Sequence, residues 1–437
     1  LSGWRDWKQE KQGMADDGFF LSADNPVANT AQRAMEDRAI RLLDRPEIAQ
    51  AKAKARFLLR EAYQHIAREQ MARFDDALDE YVFHYMMRAV ASDSQYPDVL
   101  RFMLPPHRWF GRDVPGARWG ADSPDFCYRI IPVSHGGRYV IEGRASCDKP
   151  PTAHYALMSD NLAAPTIMSL LDGLDVVSDA DGNFTITIDP EPANGRSNHI
   201  QTLPGAFQIW IRDALGDWLT QTPNALRVSR LDPPERDPLS DDAITRWAAR
   251  ALADGVYYAH FISSTITLRP PNELHPPASS GPLGGMASQY TCSANVVLEE
   301  DEALIITAND AGALFRNVVL CDVFMNTVNY WDRTGSLNHA QMVPDVGGLF
   351  TYVVAHQDPG VHNWLDTSGK RQTVFGQRWQ SFPGGTAKEA PTIESRVVKF
   401  RDLSAALPAG VRMVDAQGRK VQQQNRWKGF QRRLIES

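Results

Sequence analysis

Cysteine is scarce in this chain, with four in 437 residues, and Cys127, Cys147, Cys292 and Cys321 stand too far apart for a C-x-x-C pair. That spacing excludes the common zinc-ribbon and dithiol redox motifs. Cys127 and Cys147 fall on neighbouring predicted strands and could pair in an oxidising compartment, although buried free thiols are the favoured state. No apolar run is long enough to cross a bilayer, so no membrane span is expected. The net charge of -7 supplies no basic surface for phosphates, and nucleic acid is not an expected partner. G-x-G-x-x-G, P-loop and G-x-S-x-G runs are all missing, which argues against dinucleotides, nucleotides and an esterase elbow. His356 and His362 do not have the i, i+4 spacing of zinc hydrolases, and no acid-rich calcium loop occurs. No metal and no cofactor are expected. The chain opens at Leu1 without a basic-then-apolar leader, so a trimmed or mature form is expected. A cytoplasmic location is favoured, with the periplasm after signal cleavage as the alternative.

What is present is a soluble composition, 43% hydrophobic and 23% charged, long enough for two or three domains. Leu1 to Ala28 shows no sustained period and is expected to be an arm, with Trp4, Trp7, Phe19 and Phe20 packing on the body. From Thr30 the pattern is helical. Asp44 to Pro46 breaks it, and a long second helix is expected from Pro46 on a stripe of Ala55, Leu58, Leu59, Ala62 and Ile66, continued by Met71, Phe74, Leu78, Val82 and Tyr85. His65 and His84 lie on or beside that stripe and are read as packed histidines. Residues 97–120 form a Pro- and Gly-rich linker anchored by Trp109, Phe110 and Trp119.

A first β region runs from about Phe126 to Ser229. Tyr139 and Ile141, then Phe184, Ile186 and Ile188, then Phe207, Ile209 and Ile211 alternate with polar neighbours, which puts Gln208, Trp210 and Arg212 on one opposite face. Ser240 followed by Asp241 and Asp242 starts a helix whose apolar face is Ile244, Trp247, Ala248, Ala251 and Leu252. A long Pro/Gly/Ser loop, Pro270 to Gly285, precedes a second β region with strands at Thr291 to Leu298, Ala303 to Ala308, Leu349 to Ala355, Thr373 to Gln380 and Ile393 to Phe400. The two regions are candidates for similar halves, without a visible sequence repeat. The fold class is therefore α+β: two antiparallel β-sandwich or jelly-roll-like regions, an N-terminal helical segment and a connecting helix. The expected divisions are 1–120, 121–232, 233–285 and 286–437. The basic cluster Arg426, Lys428, Arg432 and Arg433 reads as a solvated tail or a helix covering an edge.

Met325 to Trp379 crowds Tyr, Trp, Asn, His, Asp and Arg into two loops bounded by Gly and Pro, a composition suited to recognition or chemistry. His356, Asp358, His339 and Tyr330 are the catalytic candidates, because imidazoles exchange protons near neutral pH and a carboxylate can orient them. His362 is an alternative to His356. Trp331, Asn338, Asn363, Trp364, Arg212 and Arg378 are the substrate-binding candidates. Each of the two arginines suits either a carboxylate ligand or an internal Arg-Asp pair, and the ion pair is the favoured of the two. Asp366 to Gly369 has the residues of a type I turn.

The D-P-G-V-x-N-W-L-D-T-x-G run at Asp358 to Gly369 and the S-L-N-x-x-Q run at Ser336 to Gln341 resemble the bacterial family catalogued as domain of unknown function 1214, which often accompanies domain of unknown function 1254. Pro204-Gly205-Ala206, Arg212 and Gly216-Asp217-Trp218 are similar to the same group, and Gly284 to Tyr290 resembles its glycine-rich Q-Y segment. The resemblance spans roughly residues 125–380 and implies β-sandwich-like domains with accessory helices, but no established activity. The chain departs from that pattern in its sparse basic residues in the first β region and in its N-terminal helices.

Two functions are expected from these residues. One is a cofactor-independent lyase, isomerase, cyclase or hydrolase acting on a largely apolar, ring-containing small molecule. The other is a non-catalytic sugar- or lipid-binding protein. A homo-oligomer is compatible with either.

Overall fold

Helices form where the sequence supplies caps. Asn29 accepts a hydrogen bond from Gln32 N at 2.8 Å to start α1 (Thr30–Leu42), and Pro46 opens α2 (Pro46–Ala62). The computed structural model describes residues 18–434 apart from 23, 146–151, 161–164, 284 and 386. Trp4, Trp7, Cys147 and Gly284 lie outside the described residues. The helix expected to continue from Pro46 through Tyr85 is instead two, α2 and α3 (Phe74–Val90). Ile66 and Met71 are five residues apart, which carries the apolar stripe off one helical face and lets the chain turn between them. From Glu80 to Val90 every residue of α3 is buried, as expected for a helix enclosed on all sides. Glu80 takes Arg118 Nε at 2.7 Å and Nη2 at 2.5 Å, whereas buried Arg88 reaches the Gln208 amide oxygen at 3.4 Å. His84 is buried and stacks on Trp119 at 4.9 Å.

Twenty strands follow or interleave. The first set is β1 (Leu100–Arg101), a small hairpin of β2 (His107–Trp109) and β3 (Arg112–Val114), then β4 (Phe126–Pro132), β5 (Tyr139–Arg144), β6 (Thr152–Ser159), β7 (Ile167–Leu171), β8 (Asn183–Asp189), β9 (His199–Gln201), β10 (Ala206–Ala214) and β11 (Ala225–Arg230). α4 (Asp241–Thr267) connects them to β12 (Ala278–Ser279), β13 (Tyr290–Val297), β14 (Glu302–Ala308), β15 (Phe315–Cys321), β16 (Ser336–Asn338), β17 (Phe350–Ala355), β18 (Trp364–Asp366), β19 (Gln372–Gln380) and β20 (Ile393–Lys399). A short α5 (Leu403–Ala406) and α6 (Ala416–Arg432) complete the chain's described helices. Among the described residues, no helix is long and apolar enough to cross a membrane.

The strands build two sandwiches of one topology. The five-stranded sheets run β1-β4-β10-β6-β7 and β12-β13-β19-β15-β16, and the four-stranded sheets run β11-β5-β8-β9 and β20-β14-β17-β18. Counting nine strands in each copy and setting the β2/β3 hairpin aside, both orders are 1-2-8-4-5 and 9-3-6-7. Both copies also make their sixth and seventh strands parallel and all other pairs antiparallel. The similarity of the halves is thus structural, with the sequences diverged. Tyr139, Ile141, Ile186, Ile188, Ile209 and Ile211 fill the first sandwich, and Leu304, Ile306, Val318, Tyr352, Phe375 and Trp379 the second. Gln208 and Trp210 lie on the helix-facing side of β10, as the alternation requires: Gln208 bonds Ala91 O at 2.9 Å and Trp210 joins the helical core. Phe207 departs from its expected set. A register shift between Ala206 and Gln208 turns its ring onto Trp247 at 5.5 Å.

α4 lies over both copies. Ser240 accepts from Ala243 N at 3.2 Å, and Asp241 binds Arg38 and Arg41 of α1 at 2.8 and 2.6 Å, which hold its carboxyl down to about 2. Gly255 is required where the helix crosses α3, since a methyl there would sit 1.8 Å from Tyr85 Oη. The linker before β4 joins the second copy: Asp122, buried, accepts from Thr327 N at 3.1 Å and Thr327 Oγ1 at 2.8 Å.

Burial raises the Asp122 carboxyl from 3.8 to about 7, so the folded state holds this proton where the unfolded chain has lost it. Its contribution is present below the unfolded value and is lost as pH rises through the folded one. Stability of the native protein relative to Asp122→Asn should therefore fall by about 2–4 kcal/mol between pH 4 and 8. Urea unfolding of both proteins across that range checks it, and a constant difference would contradict it.

Candidate functional site

Where the β10–β11 loop, β16 and α6 meet, the chain leaves an open cleft of about 290 Å³. Gly216, Trp218 and Leu219 line it from the β10–β11 loop, Leu337 and Gln341 from β16 and the turn after it, and His362, Gln422 and Arg426 from the β17–β18 loop and α6. Three of the runs singled out in the sequence, G-D-W, S-L-N-x-x-Q and D-P-G-V-H-N-W-L-D-T, thus contribute to one concavity.

Asp125 sets the cleft's geometry. Fully buried, it accepts from Trp218 Nε1 at 3.0 Å, Asn338 Nδ2 at 2.7 Å and Asn317 Nδ2 at 2.8 Å, and its carbonyl takes Leu215 N at 2.7 Å. Trp218 is thereby held edge-in, with the guanidinium carbons of Arg426 and Arg433 at 4.7 and 4.4 Å from its ring centre. Arg426 donates to Tyr330 O at 2.9 Å, Ser336 Oγ at 2.8 Å and Gln341 Oε1 at 3.0 Å, and burial lowers it to about 10. The basic C-terminal cluster is accordingly not a solvated tail. Arg426 is buried between the two sandwiches, while Lys428 is exposed.

His362 is the imidazole that lines the cleft, and its tautomer follows from its neighbours. Asn363 donates through Nδ2 to Val343 O at 2.8 Å and Thr351 O at 3.1 Å, while its Oδ1 accepts Val343 N at 2.9 Å. That orients the amide, so His362 Nδ1, 3.2 Å from Asn363 Oδ1, is the protonated nitrogen. Nε2 is then the basic nitrogen, 3.0 Å from Gln422 Nε2. Burial lowers the His362 pKa, with the Arg419 charge acting in the same sense and the Asn363 bond against it. The ring is neutral at pH 7 and able to accept a proton.

The four catalytic candidates do not form one constellation. His356 places Nδ1 2.7 Å from Thr367 Oγ1 and Nε2 3.2 Å from Leu298 O, beside a separate open cavity of about 580 Å³ that Glu299 and Arg371 also line. Asp358 is held by Arg419 at 2.9 and 3.0 Å and takes Gly360 N at 2.9 Å, the bonds of an ion-paired turn. His339 packs edge-on against Phe315 at 5.3 Å, under Gly216, and burial lowers its pKa. Tyr330 is buried between Trp218, Trp331 and Phe430, and burial raises its hydroxyl above the usual range.

The binding candidates divide similarly. Trp331 lies half-buried against Phe430, Trp364 donates to Ala355 O at 3.1 Å beneath Arg419, and Asn338 and Asn363 spend their amides on the bonds given above. Arg212 and Arg378 lie elsewhere, on the helix-facing sides of the two five-stranded sheets. Among the described residues the Arg-Asp pairs favoured for them are not formed: Nη1 of each is buried without a partner there, and Arg378 Nη2 donates to Ala121 O at 2.6 Å. Asp125, Gln422 and Arg426 were not among the sequence candidates. Arg419, Gln422 and Arg426 share one helical face by their spacing, but a polar face reads as solvated unless its partner is known.

No protein-family model matches the chain, and no curated protein matches it. Among solved structures it is similar to an uncharacterized protein from Burkholderia cenocepacia, with a TM-score of 0.69 and 23% identity over 84% of this chain and 100% of that one. A protein from Vibrio parahaemolyticus aligns with a TM-score of 0.40 and 11% identity over 74% of this chain and 99% of that one. The first of these shares the fold.

Removal of the Asp125 carboxylate leaves the buried amides of Asn317 and Asn338 without their acceptor. Asp125→Ala should cost about 3–5 kcal/mol, and the double variant with Asn338→Ala should cost clearly less than the sum of the singles. Urea denaturation of the four proteins measures this, and strict additivity would show that the two residues act independently.

Proposed function

We propose that the cleft binds a largely apolar, ring-containing small molecule and that the protein acts on it without a cofactor, His362 Nε2 taking the proton. The observation that carries this reading is the place of His362: an imidazole held by Asn363 in a cleft that Leu337 and Leu219 also line. An oriented base of lowered pKa suits proton abstraction in a lyase, isomerase or cyclase, or activation of water in a hydrolase. Leu219, Leu337 and the Trp218 edge supply apolar surface, and Gln341 and Asn425 supply polar groups at the rim. In this reading Tyr330, His339, Asn338 and Asn363 position the cleft walls, and His356 and Asp358 hold the adjoining loops. Kinship with the family of unknown function 1214 belongs to the same proposal, supported by the meeting of its resembling runs around one cleft.

A second reading, non-catalytic binding of a sugar or lipid, is favoured by one feature. Gln422 already engages Nε2, and among the described residues no carboxylate or hydroxyl is bonded to the ring.

A thermal-shift screen of aromatic acids, terpenoids, steroids and sugars, followed by mass-spectrometric assay of each stabilising compound for conversion, separates the two. In the enzymatic case His362→Gln lowers turnover by about 10²–10⁴-fold while affinity stays within a few-fold. Turnover should also fall as pH drops below the depressed His362 pKa. Conversion that survives His362→Gln removes the histidine from the mechanism, and stabilising compounds that are never converted leave the binding reading.

A further inference from the structure

The two copies of the sandwich place an arginine at the same point. Arg212 and Arg378 are each third from the end of the eighth strand, and each lies in a cross-strand row, His154–Arg212–Tyr128 and Asn317–Arg378–Thr291. Both rows face α4 and the linker before β4. Phe126 and Phe315, at the starts of the second and fourth strands of their copies, touch at 5.3 Å, so the rows approach each other. The Arg378 charge is accordingly felt at Arg212 and at Tyr128. Nη1 of both arginines is buried and unbonded. The groups that favour the charge on Arg212 are the hydroxyls of Tyr128 and Tyr258, so no carboxylate neutralises it. Two guanidiniums of like charge thus lie within each other's field, each with a buried unbonded donor, an arrangement that an anion between them would relieve.

Space for such an anion comes from divergence between the copies. Two residues before the arginine the first copy has Trp210, which is buried, and the second has Gly376. Gly376 sits in the central strand of its sheet, yet it keeps accessible surface, and a methyl there would meet nothing nearer than Val319 Cγ1 at 3.5 Å. Ile262 of α4 and Ala121 pack against the apolar cluster that holds Val319. Tyr258, one turn before Ile262, stacks on Trp119 at 5.3 Å, and its hydroxyl favours the charge on Arg212. Tyr128 Oη accepts Ser123 N at 3.1 Å and retains its own proton for a further acceptor.

We propose that this space binds a small organic monocarboxylate, its carboxylate on Arg212 and Arg378 and its apolar body over Gly376 against Val319 and Ile262. The site shares no lining residue with the open cleft, so it stands or falls independently of the reading of His362. A planar carboxylate matches guanidinium forks bidentately, and a body of apolar atoms replaces the side chain that Gly376 lacks.

The test uses the full chain in thermal-shift titrations with sodium benzoate, sodium hexanoate, benzamide and inorganic phosphate at constant ionic strength. Benzoate or hexanoate should raise Tm with concentration, and benzamide, the neutral isostere, should not. Arg378→Gln and Arg212→Gln should each weaken the carboxylate response at least tenfold while melting no lower than the native protein in the absence of ligand. A merely structural arginine would lower Tm instead. Gly376→Leu, which fills the space and leaves both charges in place, should abolish the response. The proposal is overturned if neither acid stabilises the native protein, if benzamide does so equally, if phosphate alone acts, or if the arginine variants respond as the native chain does.

Discussion

One buried carboxylate ties the two halves of this molecule together. Asp125 stands at the entrance to β4 and takes its hydrogen bonds from Trp218 in the first sandwich and from Asn317 and Asn338 in the second. A charge so enclosed is tolerable only when its lone pairs are satisfied by well-placed donors. The relative placement of the G-D-W loop, β15 and β16 is thereby set by a single side chain. The cleft inherits its shape from that constraint, because Trp218 and Leu337 line it together only while the three donors converge. Arg426 and Arg433 close the arrangement from α6, stacking on the indole that Asp125 orients.

A repeated topology explains why the chain has sites where it does. Two sandwiches with the same strand order present the same kind of face to the helices, and α4, spanning 27 residues, can cover both. Divergence then acts on equivalent positions: Trp210 fills in one copy what Gly376 leaves open in the other. The identity with the Burkholderia cenocepacia structure is low while the fold is shared. That is the expected result when binary pattern and strand order are maintained and individual side chains are not.

How much could be read from the chain followed the physics of each element. β8 and β20 alternate between core and surroundings, and β13, β14, β17 and β19 carry apolar or β-branched runs, so these six were legible almost to their ends. β15 was not, because Arg316 and Asn317 interrupt its apolar run although they are buried with the rest of it. The bulge that turns Phe207 outward leaves no local mark in an A-F-Q-I run. In the site, the motifs were visible as dense runs, and Asn338, His362 and Trp218 stood within them. Their partners were not, since Asp125 lies 213 residues from Asn338, and no local pattern records a contact at that separation. The stretch from Met325 to Trp379 was dense in functional residue types largely because such side chains also serve as long-range fasteners.

That double use decides which polar side chains can be available for a ligand. Arg419, buried beside Trp364, spends its donors on Asp358, Val361 O, His362 O and Gln422. Arg426 likewise spends its donors on Tyr330, Ser336 and Gln341. Both have the residue type and burial that suggest anion binding, and both are consumed by the fold. Arg212 and Arg378 each keep a buried Nη1 without a partner, as Arg88 and Arg129 also keep a nitrogen, and are set apart from those by their equivalent places in the two copies and by the neighbouring Gly376. A folded chain ordinarily satisfies such groups, because each costs free energy that neighbouring carbonyls or acids could recover. The imidazoles differ in place, since both nitrogens of each are engaged: His356 lies between Thr367 and Leu298 beside Glu299 and Arg371, whereas His362 lies between Asn363 and Gln422 in the cleft of the resembling runs. A polar group that borders open space, more than the density of reactive residue types, is what distinguishes the places where this protein can meet another molecule.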